Sequence, residues 1–296
     1  MKQISGWLIY NGYNNSNSYI EMISLYKQSS IKKGINLELI KHNDVYCLIQ
    51  NNCTHLKAKL SIKPDFVLFL NKDITLARHL KKLGYNLFNS IRNMEYCDDK
   101  SLTYQALADN NIPIPKTIFS PVATTSTQDV DINFLDFIEK ELGFPIIMKK
   151  IYGSFGKQVY LANDREELLT KRKNIIHSFH LYQECITTSI GRDVRIYVVG
   201  NKVVASILRT NGTDFRATTH GAKMELYTPN KEFENLAIKV AKLLQADFCG
   251  IDILFGENDK PIISEANSSA YIKSIYDYTR INIADYILDY IIKKLS

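Results

Sequence analysis

The segment Cys249–Ser269 reads CGIDILFGENDKPIISEANSS and predicts a β-hairpin. Two short apolar runs flank the turn-rich Gly256–Lys260, which is a typical hairpin pattern. Folding the chain at the middle of this turn places Asp252 on the first strand opposite Glu265 on the second. Because side chains alternate faces along a strand, Glu265 and Asn267 share a face. The sequence therefore predicts that two carboxylates and one amide meet on one patch.

Oxygen ligands of this kind suit Mg²⁺, which keeps several waters and completes its coordination shell with substrate phosphates. A magnesium site formed by Asp252, Glu265 and Asn267 is the interpretation that the hairpin favours. A solvated acidic hairpin end is the alternative interpretation of the same pattern. The motifs elsewhere in the chain decide between the two.

The composition is that of a globular protein with more than one subdomain, since 45% of the 296 residues are hydrophobic and 23% are charged. The net charge of +6 fits an anionic small-molecule substrate, whereas nucleic acid would usually require a concentrated basic stripe, so no nucleic-acid partner is expected. The five cysteines form no CxxC pair, which favours a reducing compartment without structural zinc. No apolar run resembles a signal peptide or a membrane span, so we expect a cytoplasmic protein without membrane contact.

The N-terminal part, residues 1–94, alternates strand and helix patterns from the apolar run Trp7–Tyr10 onward. Such alternation predicts a parallel α/β unit. The first turn has no GxGxxG, so a dinucleotide site is not expected there. Asn89–Met94 is interpreted as a hinge, and Asp98–Asn110 as a helix with Lys100 in its first turn.

A glycine-containing loop, YGSFGK at residues 152–157, joins strands predicted at Pro145–Ile151 and Gln158–Ala162. Two glycines in a short loop let backbone N–H groups approach an anion closely, although an ordinary glycine hairpin is the alternative interpretation. The Walker A pattern GxxxxGK[ST] is absent. Lys149 and Lys150 point to opposite faces of their strand, so we expect only one of them to reach a site beside the loop.

The next predicted strand, Leu181–Ile186, carries Gln183 and Glu184, and a hairpin around Gly200-Asn201 follows it. One face of the first hairpin strand carries Asp193, Arg195 and Tyr197.

A polar, loop-like segment at Thr210–Lys223 contains Arg216 and His220, directly after Arg209. Arginines with glycines and hydroxyl groups in a loop suit the recognition of phosphate or carboxylate. An ordinary charged surface loop is the alternative interpretation. Together with Ala270–Asn282, this segment is expected to form the substrate pocket.

In their order and spacing, these motifs resemble the ATP-grasp superfamily, and within it the RimK-like carboxylate–amine (alpha-L-glutamate) ligases. The resemblance covers nearly the whole chain and is strongest from Asp99 to Ala270. It implies a Rossmann-like parallel α/β domain over residues 1–94, followed by a two-lobed ATP-grasp domain of the α+β type. Its small lobe would span residues 95–182 and carry the glycine loop, and its large lobe would span residues 183–296 and carry the metal-binding hairpin.

The resemblance also implies ATP and Mg²⁺ as cofactors, with Mn²⁺ as an alternative metal. The implied metal ligands are Asp252, Glu265 and Asn267. The implied nucleotide-binding residues are Lys100, Lys149, Gly153, Ser154, Gly156, Gln183, Glu184, Cys185, Ile186, Asp193 and Arg216. The implied catalytic residues are Arg216, Arg209 and His220.

The implied roles follow the nucleotide from base to phosphate. Glu184 and the backbone of Cys185 would contact adenine, and Asp193 would contact ribose. Lys100 and Lys149 would neutralise the α- and β-phosphates, with Arg216 of the Asp214-Phe215-Arg216 element near the γ-phosphate.

The implied reaction joins a carboxylate to an amine through an acyl phosphate, releasing ADP and phosphate and adding glutamate or another amino acid to a small molecule or peptide. Two stretches depart from the family pattern, namely His220-Gly221-Ala222-Lys223 and Ser268-Ser269-Ala270-Tyr271. Both lie near the acceptor pocket in relatives, so glutamate is not carried over as the amine.

Three alternatives stay open at this point. A nucleotide-binding regulator would keep the fold without turnover, a peptide-modifying ligase would act on a ribosomally made peptide, and a carboxylate–thiol ligase would use the same acyl phosphate. Relatives often assemble as dimers or tetramers, so a homo-oligomer is left open as well.

Overall fold

The computed structural model describes residues 3–58, 63–123, 131–154, 156–217 and 222–296. Across these ranges the strands form a four-stranded parallel sheet, a two-stranded hairpin, a four-stranded sheet and a five-stranded sheet. No helix within these ranges is long and apolar enough to cross a membrane.

The N-terminal unit is a parallel sheet with helices on both faces, in the strand order β2-β1-β5-β6. Its β5 strand reads FVLFL and is buried throughout, as expected for a parallel strand covered on two sides. A separate antiparallel hairpin, β3–β4, was not predicted. The elements are β1 (Ser5–Tyr10), α1 (Asn17–Lys32), β2 (Asn36–Lys41), β3 (Tyr46–Gln50), β4 (Cys53–Lys57), β5 (Phe66–Leu70), α2 (Ile74–Lys82) and β6 (Leu87–Phe88).

The segment predicted as a hinge after this unit is largely a helix that is fixed at its start, and a hinge there stays a prediction. Helix α3 (Ile91–Asp98) is capped by the Ser90 side chain and is followed by α4 (Lys100–Ala108). The fully buried Asn89 side chain accepts hydrogen bonds from the backbone N–H groups of Asp247 and Phe248, at 2.8 and 3.0 Å. It also donates to the carbonyl oxygens of Phe248 and Ser268. Hydrogen bonds of Asn89 therefore join the end of the N-terminal unit to the C-terminal part of the chain.

The small lobe is an antiparallel sheet in the order β7-β10-β8-β9, with two helices packed on one face. The sheet and helices meet in a core that includes Leu135, Met148, Leu168 and Tyr182. The elements are β7 (Thr117–Phe119), α5 (Ile132–Leu142), β8 (Ile146–Lys150), β9 (Val159–Ala162), α6 (Arg165–Ile175) and β10 (His180–Glu184).

The large lobe is a five-stranded antiparallel sheet in the order β13-β12-β11-β14-β15. One face packs on α7 through residues such as Phe233 and Val240. The other face packs on the last two helices and, beyond them, on α1 of the N-terminal unit. The elements are β11 (Arg192–Val199), β12 (Lys202–Thr210), β13 (Lys223–Leu226), α7 (Lys231–Leu243), β14 (Phe248–Phe255), β15 (Pro261–Asn267), α8 (Ile272–Thr279) and α9 (Ile283–Leu295).

These sheets confirm the predicted fold class, a parallel α/β unit followed by two predominantly antiparallel lobes. The domain limits at residues 94/95 and 182/183 stay predictions. The arrangement brings the C-terminal ends of β1 and β5, the loop after β8 and the inner face of the large sheet to one cavity.

Candidate active site

A cavity of about 690 Å³ lies between the N-terminal unit and the two lobes. Every predicted site residue that the structure describes lines it, and His220 lies outside the described residues. The predicted residues brought together are Lys100, Lys149, Gly153, Ser154, Gly156, Gln183, Glu184, Cys185, Ile186, Asp193, Arg209, Arg216, Asp252, Glu265 and Asn267.

The acidic patch has the register that the sequence predicts. Asp252 pairs directly with Glu265 across β14 and β15, and Gly250 pairs with Asn267. All three polar side chains face the cavity. Asp252 is nearly inaccessible, with 3% of its surface exposed, whereas Glu265 and Asn267 are half-buried.

The Asp252 carboxylate is held by two arginines. Arg195 binds it in a bidentate manner, with Nε and one terminal nitrogen each 2.7 Å from an oxygen. Arg209 lies 3.1 Å from the same carboxylate and also makes a bidentate pair with Asp193, at 2.6 and 2.7 Å. Both oxygens of Asp193 are therefore engaged by Arg209, and its contact with ribose stays a prediction.

These arginines fix the charge of Asp252. Burial alone would raise the pKa of this carboxyl group, but the adjacent Arg195 and Arg209 guanidinium groups outweigh burial and lower the pKa to about 2. Asp252 is therefore ionised at neutral pH. Arg195 was not among the predicted site residues, although its position two residues after Asp193 on the same strand face is a signal that could have found it.

The donor set of the patch fits a magnesium ion that is shared with phosphate. Across the described ranges, no group of three or more His, Cys, Asp or Glu residues is placed to hold a metal by itself. The patch instead offers two carboxylates and the amide of Asn267, whose buried nitrogen has no hydrogen-bond partner among the described residues. Hard oxygen donors in this number leave coordination positions for water and phosphate, as Mg²⁺ prefers.

Two lysines lie beside the patch. The Lys100 ammonium is 3.1 Å from a Glu265 carboxylate oxygen and donates to the Gly153 carbonyl at 3.3 Å. The Lys149 ammonium donates to the hydroxyl of Tyr104 at 3.2 Å. Lys150 also contributes to the cavity wall, and the expectation that only one of the two adjacent lysines reaches the site stays a prediction.

The glycine loop is closed against the large lobe. Gly156 has a φ of 67°, in the region that favours glycine, and its carbonyl oxygen accepts a hydrogen bond from Arg216 at 2.8 Å. Asp214 orients the Arg216 side chain through a bidentate pair. At the start of the loop, the Ser154 N–H donates to the Gln158 side chain. The predicted arginine loop and glycine loop therefore meet, and Phe155 between the glycines lies outside the described residues.

The end of β10 supplies the wall expected to face a nucleobase. The buried Gln183 side chain donates to the Thr117 hydroxyl at 2.8 Å, and a Glu184 carboxylate oxygen accepts from the Lys116 N–H at 2.7 Å. Cys185 and Ile186 line the cavity just beyond the strand, where burial raises the pKa of the Cys185 thiol.

Another part of the cavity wall comes from residues of the N-terminal unit that were not predicted. Asn11, Asn14, Tyr19, Asn71 and Lys72 of the N-terminal unit contribute there. They are joined by residues of the segment expected to be a pocket loop, which is largely the helix α8. No local motif marks the N-terminal residues, because they meet the rest of the site only through the fold.

A sequence model of the RimK-like ATP-grasp domain matches residues 97–291. The chain belongs to the RimK-like ATP-grasp family. The resemblance drawn from the sequence motifs is thereby confirmed, and binding of ATP and magnesium is typical of this family.

Relatives of this RimK-like protein include both uncharacterized and named proteins. An uncharacterized protein of Mycoplasma genitalium is 34% identical over 96% of this chain and 98% of its own length. N-acetylaspartylglutamate synthase A of Homo sapiens is 33% identical over 74% of this chain and 56% of the synthase. A probable alpha-L-glutamate ligase of Legionella pneumophila is 32% identical over 73% of this chain and 70% of the ligase.

Solved structures share the fold at low sequence identity. The ATP-grasp ligase PsnB, complexed with a minimal precursor, Mg and ADP, is similar with a TM-score of 0.72 and 15% identity, covering 100% of this chain and 99% of PsnB. D-alanine–D-alanine ligase of Bacillus anthracis, complexed with ATP, gives a TM-score of 0.72 at 17% identity, covering 99% of this chain and 97% of that enzyme. These similarities show the architecture of an ATP-grasp ligase.

Proposed function

We propose that this RimK-like protein is an ATP-dependent ligase that joins a carboxylate to an amine. The observation that carries the proposal is the convergence of the Asp252–Glu265 pair, two lysines and the closed glycine loop on one cavity. This cavity has anion-neutralising groups beside hard oxygen donors, which is the chemistry that a magnesium-bound triphosphate requires.

The proposed reaction has two steps. A substrate carboxylate oxygen attacks the γ-phosphorus of ATP, so that the bond to the β-phosphate oxygen breaks and an acyl phosphate and ADP form. An amine then attacks the acyl carbon, phosphate leaves, and an amide results. The protein contributes mainly positioning and charge neutralisation to both steps.

Asp252, Glu265 and Asn267 would hold the magnesium. When bound, the ion would supply charge neutralisation for the phosphates of the nucleotide. Asp252 is suited to this position because its low pKa keeps it ionised. Arg195 binds both oxygens of the same carboxylate and Arg209 binds one of them, which fixes its orientation.

The remaining cations would serve the phosphates. Lys149 and Lys100 would bind the α- and β-phosphates, and Arg216 would bind the transferring phosphoryl group from the loop side. Because Arg216 also holds Gly156, the same side chain would couple closure of the glycine loop to phosphate binding. A closed loop excludes water, which would otherwise hydrolyse the acyl phosphate.

The substrates are proposed from relatives. Two of the named relatives carry glutamate in their names, N-acetylaspartylglutamate synthase A and a probable alpha-L-glutamate ligase. An amino acid is therefore proposed as the amine, with a small-molecule or peptide carboxylate as its partner. His220, which lies outside the described residues, stays a predicted catalytic residue.

The test is phosphate release with ATP, magnesium, a panel of carboxylates and a panel of amino acids. We expect release that depends on both substrates, with one ADP and one amide formed for each phosphate. Binding of ADP detected by a melting shift, without phosphate release for any pair, would instead support a nucleotide-binding regulator. A thioester product formed with thiol acceptors would support a carboxylate–thiol ligase.

A further inference from the structure

Tyr104 lies between the two lobes, and the proposed mechanism assigns it no role. It lies on α4 four residues after Lys100, so both side chains project from one face of the helix. The Tyr104 side chain is 2% exposed, and its ring packs against the small-lobe residues Ile151 and Leu181.

The Tyr104 hydroxyl makes contacts in both lobes. It donates to the Ser264 carbonyl oxygen on β15 at 2.5 Å and lies 3.2 Å from the Lys149 ammonium on β8. The Gln183 side-chain oxygen is a more distant acceptor at 3.4 Å. A phenol has one proton, and the short bond to Ser264 uses it, so an oxygen lone pair is left to accept from Lys149.

Lys149 needs such a partner to hold its position. Its side chain is buried, and no carboxylate within the described part of the chain forms a salt bridge with it. The ammonium lies beyond the Tyr104 hydroxyl, 5.8 Å from the centre of the ring, so the hydroxyl is its point of contact with the tyrosine. Since a lysine has several freely rotating bonds, this hydrogen bond to the tyrosine restricts where the ammonium lies.

Ser264 directly precedes Glu265 in β15, so the tyrosine joins a phosphate-facing lysine of one lobe to the metal-facing strand of the other. We propose that Tyr104 is a positioning residue that holds the Lys149 ammonium toward the nucleotide phosphates, in register with the Glu265 strand. The inference rests on the proposed nucleotide-binding role of Lys149.

The test is a double-mutant cycle on ADP binding in the presence of magnesium. Calorimetric titration of the full chain measures the ADP affinity of each variant. Tyr104→Phe keeps the ring and removes the hydroxyl, so we expect it to weaken ADP binding about threefold to tenfold. In a Lys149→Ala background the same substitution should change the affinity by less than about twofold, because the group that it positions is gone.

Tyr290→Phe is the matched control. The Tyr290 hydroxyl donates to Asp247 at 2.9 Å, outside the cavity, so its removal should leave ADP affinity unchanged. Tyr104→Leu serves as a second variant and should follow the same cycle, and the melting temperature of each variant establishes that it folds.

Equal weakening by Tyr104→Phe in both backgrounds would overturn the positioning role, since the tyrosine would then act independently of Lys149. Unchanged ADP affinity in Lys149→Ala would overturn this inference together with the nucleotide-binding role of the lysine. If the cycle behaves as expected but no substrate pair releases phosphate, the ligase proposal fails while the positioning of Lys149 stands.

Discussion

At the scale of single residues, Asp252 combines a structural and a proposed catalytic role. Its carboxylate is buried against Arg195 and Arg209, and it also faces the proposed magnesium. Removing this charge leaves two buried guanidinium groups with less compensation, whereas Glu265 has one lysine partner and lies closer to solvent. The two carboxylates of the patch should therefore respond differently to neutralisation.

Glu265→Gln should lower phosphate release on the order of a hundredfold or more while preserving the fold, because it removes a metal ligand from a partly exposed position. Phosphate release and thermal melting measure the two effects. Asp289→Asn, at an exposed ion pair with Lys33, is the control and should retain activity. Normal turnover by Glu265→Gln would show that this glutamate is not a metal ligand.

Asp252→Asn should lose activity and also stability. Breaking a buried ion pair by removing one partner costs about 3 to 5 kcal/mol, because the remaining charge is left uncompensated. Urea unfolding measures the loss. If Asp252→Asn is as stable as the wild-type chain, the two arginines do not depend on this carboxylate as the geometry indicates.

The stability of the chain should depend on the pKa of Asp252 at acidic pH. Its pKa is about 2 in the folded chain against an ordinary value of 3.8. A lowered pKa contributes stability that is fully present above the ordinary value and is lost as the pH falls toward the folded-state value. This group should account for about 2 kcal/mol of stability lost between about pH 4 and about pH 2. Urea unfolding against pH should show a shallower slope for Asp252→Asn than for the wild-type chain.

At the scale of elements, the β14–β15 hairpin was predicted to its register, because turn residues and alternating side chains are local signals. The β3–β4 hairpin was missed although Asn51-Asn52 forms its turn with positive φ at both residues, a conformation that asparagine tolerates. Helix α8 lies in a segment predicted as a loop, since it is short and has no side-chain cap that would mark its start. The contact of the glycine loop with Arg216 joins residues far apart in sequence, which no local pattern reveals.

That contact gives a prediction for the glycine loop as an element. Arg216→Ala removes the hydrogen bond to the Gly156 carbonyl, so residues 152–157 should exchange their amide hydrogens faster in the nucleotide-free protein. Hydrogen-exchange mass spectrometry measures the rate for peptides that cover this loop. Lys171→Ala, at a partly exposed helix pair with Glu167, is the control and should leave the loop unchanged. Unchanged exchange in Arg216→Ala would mean that other contacts keep the loop closed.

At the scale of the whole molecule, the N-terminal unit and the large lobe share one hydrophobic core. Met22 and Tyr26 of α1 belong to the same buried cluster as Ile287 and Ile291 of α9 and Ile207 of the large sheet. The small lobe has its own core around Leu135 and Leu168. The sequence could predict each amphipathic helix from its spacing, but not which helices would pack together, because that choice depends on the assembled sheets.

The junction at Asn89 should be important for the stability of the whole chain. Asn89→Ala would leave the backbone N–H groups of Asp247 and Phe248 without their acceptor in a buried site, and should cost about 3 kcal/mol. Calorimetric unfolding measures the change. Asn110→Ala, at an exposed position where the side chain donates only to Ala106 among the described residues, is the control. A loss no larger than in the control would show that the two parts are joined without help from Asn89.

The shared core between α1 and α9 also limits how the chain can be shortened. The match to the ATP-grasp domain begins at residue 97, yet the last helix of that domain, α9, packs against α1, which precedes residue 97. A fragment that begins at residue 97 would expose the apolar surface of α9 and the adjoining sheet. The separate N-terminal fragment would expose the complementary apolar surface of α1. Each fragment expressed alone is expected to aggregate, whereas the two fragments co-expressed in one cell are expected to associate through these surfaces.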